Sequence, residues 1–317
     1  MSHVSVVIPV YQNEGTIEKT CHDISDILEG DPDVSRYDFV IVNDGSTDES
    51  TRIIQALFEE TPDRYTIIDF TRNFGQLQAL LAGYRYAEGD CVVSVSADLQ
   101  DPPELIIDML EAWKQGHKLV VGGRAARNDG IIYNSVANTA WELFRRYAVP
   151  NIPKGGFDFF LMDRELRDRY VDNPEQHIFM QGRLLFFGYQ PHVIPYERLK
   201  RPSGKSQTNL KKKLKYFVDG FVGYSTYPLQ LVFMMGIITF IASFIGALLV
   251  AWYVLFYNYS VKGWGSLMVV MLFLNGLQML SIGVIGEYLW RTLEETRKRP
   301  HYIIKSVLSA GSYGKQE

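Results

Sequence analysis

From Ser5 to about Leu199, short apolar runs alternate with amphipathic stretches. The runs VSVVIPV, YDFVIVND, YTIIDF, CVVSVSAD and KLVVGG are rich in β-branched residues, sit between polar segments and predict buried strands. Between them, Glu14–Leu28, Thr51–Glu60 and Pro103–Gln115 have helical spacing and starting signals, Asp101 ahead of Pro102 and Pro103 being one. Repeated strand–helix alternation predicts an α/β layer with a mostly parallel sheet.

After Asp219 the pattern changes. No charged residue occurs in the 42 positions from Gly220 to Val261, nor in the 24 from Gly263 to Gly286. A bilayer core of roughly 30 Å takes about 20 apolar residues as helix. Two spans are therefore expected, near Pro228–Tyr257 and Trp264–Leu289; the alternative is a buried hairpin in a soluble domain. The short link NYSVKGW puts the outer ends of the two helices on one side. That side carries Lys211, Lys212, Lys213, Lys215, Arg291, Arg297, Lys298 and Arg299, against Lys262 in the link, which places residues 1–207 and both termini in the cytoplasm. From Asn209 to Tyr227, lysines mix with Leu214, Phe217, Phe221 and Tyr224, as suits a helix lying on an anionic membrane surface. The expected organisation is a domain at 1–207, a juxtamembrane amphipathic segment at 208–227, the hairpin at 228–290 and a tail at 291–317. Trp252, Phe256, Gly276 and Gly283 leave helix surface for further copies, so a homo-oligomer is expected, a tetramer among the options.

Composition narrows the function. The 317 residues are 47% hydrophobic with a formal charge of −4, which gives no support for nucleic-acid binding. Cys21 and Cys91 have neither CxxC nor Cys/His ligand spacing, so a disulfide scaffold and a zinc module are both disfavoured. The N-terminus lacks a basic region followed by a long apolar stretch, so no signal peptide is expected.

In an open parallel sheet, ligands bind beyond the carboxyl ends of the strands. Three polar loops follow predicted strands there: Pro9–Glu14, Asn43–Asp48, and SVSADLQDPPE at 94–104. Asp98 stands where a buried strand opens into a loop, a place costly for a lone carboxylate and suited to a hard divalent cation, with the Gln100 amide oxygen able to join it. Mg2+ or Mn2+ completes its shell with substrate phosphates, which would make the pocket one for a diphosphate. The alternative is that Asp98 and Asp101 cap the helix that follows, and for Asp101 the cap is the expectation. Asp44 could accept from a nucleobase, with Tyr11 against the ring and Ser46 or Asp48 capping the next helix; DGS is equally an ordinary turn and cap signal.

Taken in order, VSVVIPVYQNEG, VNDGSTDES, DFTRNFGQLQALLAG, SADLQDPPE, GGFDFFLMDRE and RLKRPSGKS resemble the inverting GT-A glycosyltransferases that charge polyprenyl phosphates. The resemblance covers nearly the whole chain. Its end, two spans followed by GEYLWRTLEETRKRPHYIIK, resembles the bactoprenol glucosyltransferase branch, and dolichol-phosphate mannose synthases share the front motifs. The fold so implied is a Rossmann-like GT-A sheet with interfacial amphipathic helices and a two-helix transmembrane hairpin, in the bacterial cytoplasmic membrane.

The same resemblance places the nucleotide sugar against Pro9, Tyr11, Glu14 and Asp44, with Ser96 and Ala97 alongside, and Mg2+ or Mn2+ on Asp98 and Gln100. Relatives often carry an acid two residues before this aspartate; Ser96 stands there and supplies no charge. Asp158, in GGFDFFLMD, is implied beside the reacting centre. A phosphate monoester with a second pKa of about 6 is already largely dianionic at neutral pH, so Asp158 has less need to act as a base than to orient the acceptor. Two anionic substrates also need cations between them, and the candidates are Arg124, Arg127, Arg198, Arg201 and Lys205. UDP-glucose is the expected donor, with UDP-formamido-arabinose and GDP-mannose as alternatives, and polyprenyl phosphate the acceptor. A noncatalytic membrane scaffold or flippase is the rival from another class. A processive polysaccharide synthase would carry Q-x-x-R-W and more spans, and neither is found.

Overall fold

The structure, a computed structural model, describes residues 2–124, 139, 141–172, 174–175, 179–197, 199, 219–257 and 263–310. The chain divides into two compact units, Met1–Gly220 with Pro300–Glu317, and Phe221–Arg299.

In the first unit, the described strands are β1 (Ser2–Val10), β2 (Val34–Asn43), β3 (Tyr65–Phe70), β4 (Cys91–Ser94), β5 (Leu119–Arg124), β6 (Phe160–Asp163), β7 (His192–Tyr196) and β8 (Ile304–Leu308). They form one sheet in the order β7-β5-β6-β4-β1-β2-β3-β8. The β1–β2, β2–β3, β1–β4 and β5–β7 pairs are parallel; β6 runs antiparallel to β4 and β5, and β8 antiparallel to β3. All strands except β6 and β8 therefore end at one edge, where β6 begins.

Helices cover both faces, so the central strands read as nearly unbroken apolar runs. On one face Val4, Val6 and Ile8 of β1 join a core with Ile17, Cys21 and Ile24 of α1 (Ile17–Gly30), Ile54 and Phe58 of α2 (Ser50–Glu60), and Ile106 and Met109 of α4 (Leu105–Lys114). The alternate residues of β1 and β2 meet α3 (Gln76–Tyr86). Tyr84 of α3 in turn packs edge-on against Tyr170 of α5 (Arg164–Asp172), with ring centroids 5.5 Å apart. Burial drives the Cys21 thiol up to about 12, so it is an inert core group. The helix read from Pro103 begins at Leu105, with Glu104 in the cap position and no side-chain cap bond.

The second unit contains α7 (Tyr227–Tyr257) and α8 (Trp264–Arg297); a short α6 (Met180–Phe186) precedes them in the first unit. Both long helices are apolar and long enough to cross a membrane, and they expose Phe240, Trp252, Phe256 and Phe273. The helix α8 runs past the expected span end at Leu289, because TLEETR is polar yet made largely of good helix formers. Glu287, which has no evident partner in sequence, accepts from Arg291 one turn on, at 3.1 Å from its terminal nitrogen. The amphipathic segment read at 208–227 lies outside the described residues up to 218.

Candidate active site

The loops after β1 and β2 are clasped together. The Asp44 N–H donates to the Val10 carbonyl at 2.8 Å, and the Gln12 N–H to Ser46 Oγ at 3.1 Å. The Asn13 N–H donates to Ser50 Oγ at 2.9 Å and the Glu14 N–H to Asp48 Oδ2 at 3.2 Å, while the Glu49 N–H returns to Glu14 Oε2 at 3.0 Å. Gln12 takes a left-handed φ of 55°, a conformation disfavoured for a residue with a Cβ and held here by these bonds. Asp48 also accepts the Ser50 N–H at 3.2 Å, so Asp48 and not Ser46 serves the start of α2. Pro9 lies on β1 and Tyr11 is half-buried just beyond it.

Asp44 is 2% exposed, and both its oxygens are engaged by backbone: Phe74 N–H at 2.6 Å and Gly75 N–H at 2.9 Å. Burial pushes its carboxyl above the ordinary value, against those two N–H groups and Arg72, which pull it down. Gly45 beside it has φ 71°, and a Cβ there would lie 2.6 Å from the Arg72 carbonyl carbon and 2.7 Å from the Asn73 nitrogen. Only glycine lets the two turns approach so closely. The exposed Arg72 lies over the Phe74 ring at 3.9 Å; this cation at the carboxyl edge lies in the DFTRNFG motif but outside the set of cations chosen from sequence.

The β4 loop is also anchored. The Thr16 hydroxyl donates to the Ala97 carbonyl at 2.5 Å, and Leu99 has φ 54°. Asp98 is 7% exposed and its Oδ1 accepts the Gln100 N–H at 3.2 Å. The Gln100 carbonyl accepts from the Leu199 N–H at 2.9 Å, and its amide nitrogen donates to the Leu199 carbonyl at 3.3 Å, which leaves the amide oxygen outside that bond. Asp101, read from sequence as a cap, has a long-range role as well: its Oδ1 accepts the Tyr196 hydroxyl hydrogen at 2.6 Å, tying the loop to the end of β7. The partner lies 95 residues away, beyond the reach of local pattern.

Among the described residues no group of three His, Cys, Asp or Glu side chains could hold a metal. Asp98 and the Gln100 amide oxygen are the kind of oxygen donors a hard divalent cation takes, with phosphate and water completing its shell, and their use here is part of the function proposed below.

Asp158 is exposed at the mouth of β6, at the edge where β4 ends, since Phe160 pairs with Ser94. Its neighbours are fixed: the Phe159 carbonyl accepts the Gly122 N–H at 2.9 Å, and the Phe157 carbonyl accepts from the Gln181 amide nitrogen at 2.7 Å. Gly156, at φ 68°, approaches Gln181 so closely that a Cβ would sit 2.8 Å from its amide oxygen. Gln181 is 3% exposed and carried no signal in the sequence. The backbone of Arg124 ends β5 at this same edge. Arg127, Arg198, Arg201 and Lys205 lie outside the described residues. A cavity of about 620 Å³ lined by Leu28, Tyr37 and Arg64 lies where β2 begins, at the opposite edge, and none of the candidate residues lines it.

Comparison with known proteins agrees with this arrangement. The model of glycosyl transferase family 2 matches residues 5–171. A Bacillus subtilis strain 168 protein named uncharacterized glycosyltransferase YkcC is 36% identical over 311 residues, 98% of this chain and 94% of its own. The bactoprenol glucosyl transferase of Shigella phage SfV is 36% identical over 307 residues, 96% of this chain and 98% of its own. Among solved structures, glucosyl-3-phosphoglycerate synthase from Mycobacterium tuberculosis with phosphoglyceric acid has a TM-score of 0.51 at 18% identity, over 70% of this chain and 78% of that one, and shares the fold. The mostly parallel sheet with its acidic carboxyl edge is accordingly GT-A-like, and the chain belongs to glycosyl transferase family 2 as a glycosyltransferase.

Proposed function

We propose that this glycosyltransferase moves glucose from UDP-glucose to a membrane polyprenyl phosphate, inverting the anomeric centre. The observation that carries the reading is the pairing of a buried Asp98 with an exposed Asp158 at one sheet edge, in a chain that also holds two helices apolar enough to span a bilayer. The names of relatives matched along nearly the whole chain support the sugar and the lipid.

In this reading the nucleoside lies against Tyr11, Pro9 and Asp44, with Glu14, Ser96 and Ala97 lining the same pocket. An acceptor phosphate oxygen attacks the anomeric carbon, the bond to the diphosphate breaks, and its electron pair leaves with UDP. Asp98 and Gln100 would hold Mg2+ or Mn2+, which when bound supplies charge compensation for the departing diphosphate. Asp158 orients the acceptor and offsets positive charge developing on the sugar; a phosphate already dianionic needs no base. Arg124, Arg127, Arg198, Arg201 and Lys205 counter the repulsion between the two substrates. The apolar helices anchor the protein in the bacterial cytoplasmic membrane, with the catalytic domain and both termini on the cytoplasmic side, where the lysine and arginine excess lies. The exposed helix faces are covered by lipid and by further copies of the chain.

The test is transfer of labelled sugar to polyprenyl phosphate in vesicles, across UDP-glucose, UDP-formamido-arabinose and GDP-mannose, with and without chelator. Metal-dependent transfer from UDP-glucose is expected; no transfer from any donor would overturn the reading in favour of a noncatalytic scaffold.

A further inference from the structure

Residues beyond α8 return to the first unit as β8, and two lines of contact run from that segment to the loop after β2. The first is polar. The Ser306 hydroxyl donates to Asp69 Oδ2 at 3.0 Å, and the Asn43 amide donates to Asp69 Oδ1 at 2.9 Å. The Ser46 N–H then donates to Asn43 Oδ1 at 3.0 Å, and the Gln12 N–H to Ser46 Oγ at 3.1 Å. Asn43 and Asp69 are both buried, where a hydrogen bond lost leaves a polar group shielded from water.

The second line is aromatic. Tyr302 stacks on Phe70 with centroids 5.0 Å apart, and Phe70 meets Phe74 edge-on at 5.7 Å. Phe74 is the residue whose N–H donates to Asp44. Between the two lines, the Thr71 N–H donates to the Ile303 carbonyl at 3.1 Å, and Arg85 donates to the Tyr302 hydroxyl at 3.1 Å. The turn from Thr71 to Gly75, which fills the Asp44 carboxylate, is thus held from outside by residues 302–303.

We propose that the C-terminal segment Tyr302–Leu308 is a positioning element of the nucleotide site, with Ser306 acting through Asp69 and Asn43, and Tyr302 through Phe70 and Phe74. This rests on the reading of the Asp44–Ser46 loop as the place where the donor nucleoside binds. Closing a sheet edge requires only the backbone ladder of β8. The Ser306 and Tyr302 side chains instead contact Asp69 and Phe70, which in turn touch Asn43 and Phe74, the two residues that shape this loop. The geometry of the donor site therefore depends on chain that lies, in sequence, beyond both apolar helices.

The experiment uses the full chain in vesicles and compares Ser306→Ala and Tyr302→Ala with Ser306→Thr and Tyr302→Phe. UDP affinity, donor KM, acceptor KM, kcat and thermal midpoint are measured for each. The alanine variants are expected to weaken UDP binding and raise donor KM by about two- to tenfold, the range of one net hydrogen bond. Acceptor KM and kcat at saturating donor stay near wild type, and the conservative variants recover most of the loss. A lower midpoint with UDP affinity and donor KM unchanged would overturn the proposal and leave β8 as sheet closure alone. Should the alanine variants not accumulate folded, Ser306→Cys and Tyr302→Leu carry the same comparison. Wild-type protein that transfers sugar but does not bind UDP would overturn the nucleotide-site reading and the strand's role with it, whereas null results confined to the variants overturn only the latter.

Discussion

Asp44 accepts the Phe74 N–H at 2.6 Å, across thirty residues of chain, and its other oxygen accepts the N–H of Gly75. A carboxylate read from sequence as a nucleobase acceptor is thus also the bolt between two turns at the carboxyl edge. Each oxygen keeps a further lone pair, through which the proposed nucleobase contact would be made. Asp44→Asn keeps the shape but presents an NH2 group to one of those N–H donors. Donor KM should rise at least fivefold, and the chemical-denaturation midpoint should fall by an amount equivalent to about 1–3 kcal/mol. An unchanged midpoint would show that the two backbone bonds are dispensable.

In the proposed mechanism Gln181 would position Asp158 through its bond to the neighbouring Phe157 carbonyl. Gln181→Leu removes the bond to the Phe157 carbonyl without creating a charge, and should lower kcat about five- to fiftyfold with donor KM nearly unchanged, as expected when a group near the reacting centre loses its fixed place. A donor KM effect without a kcat effect would place Gln181 elsewhere in the mechanism.

The Tyr196–Asp101 bond joins β7 to the loop that carries Asp98. Tyr196→Phe leaves a buried carboxylate short of one donor, at a cost of about 1–3 kcal/mol. The thermal midpoint should drop by about 2–4 °C per kcal/mol for a domain of this size. An unaltered midpoint would mean that Asp101 recovers the loss from its other neighbours.

Acid should loosen the sheet through Asp163. Burial raises its carboxyl, but bonds from Trp113, from the Glu165 N–H and from Lys118 outweigh that and hold it below the ordinary 3.8. A depressed carboxyl contributes stability that is present above the unfolded value and is lost as pH falls through the folded one. Asp163→Asn should therefore be less stable than wild type at pH 7, with the gap narrowing below about pH 4. A constant gap across that range would exclude the linkage.

Much of the fold was legible because central parallel strands are apolar on both faces and their helices are amphipathic. VSVVIPV, YDFVIVND, YTIIDF, CVVSVSAD and KLVVGG all contain strands of the sheet. The edge strand β8 has little sequence signal, because IKSVL alternates weakly and its partner lies some 235 residues earlier, at Asp69 and Phe70. The placement of Asp44 and Asp98 just beyond strand ends follows from motif and strand pattern. Residues that act through long-range bonds, Gln181, Tyr196 and Ser306 among them, carry no local pattern. Asp-Pro-Pro is a strong local start signal and makes Asp101 read as a helix cap, whereas its bond to the Tyr196 hydroxyl of β7 leaves no trace in local sequence.

Whether Asp98 holds a cation shared with the donor diphosphate, as proposed, is decided by titrating Mn2+ with UDP and following the free-ion signal by electron paramagnetic resonance. Wild-type protein should deplete free Mn2+ in a UDP-dependent manner, and Asp98→Asn should require at least tenfold more protein for the same depletion. Equal depletion by the two proteins would contradict the assignment.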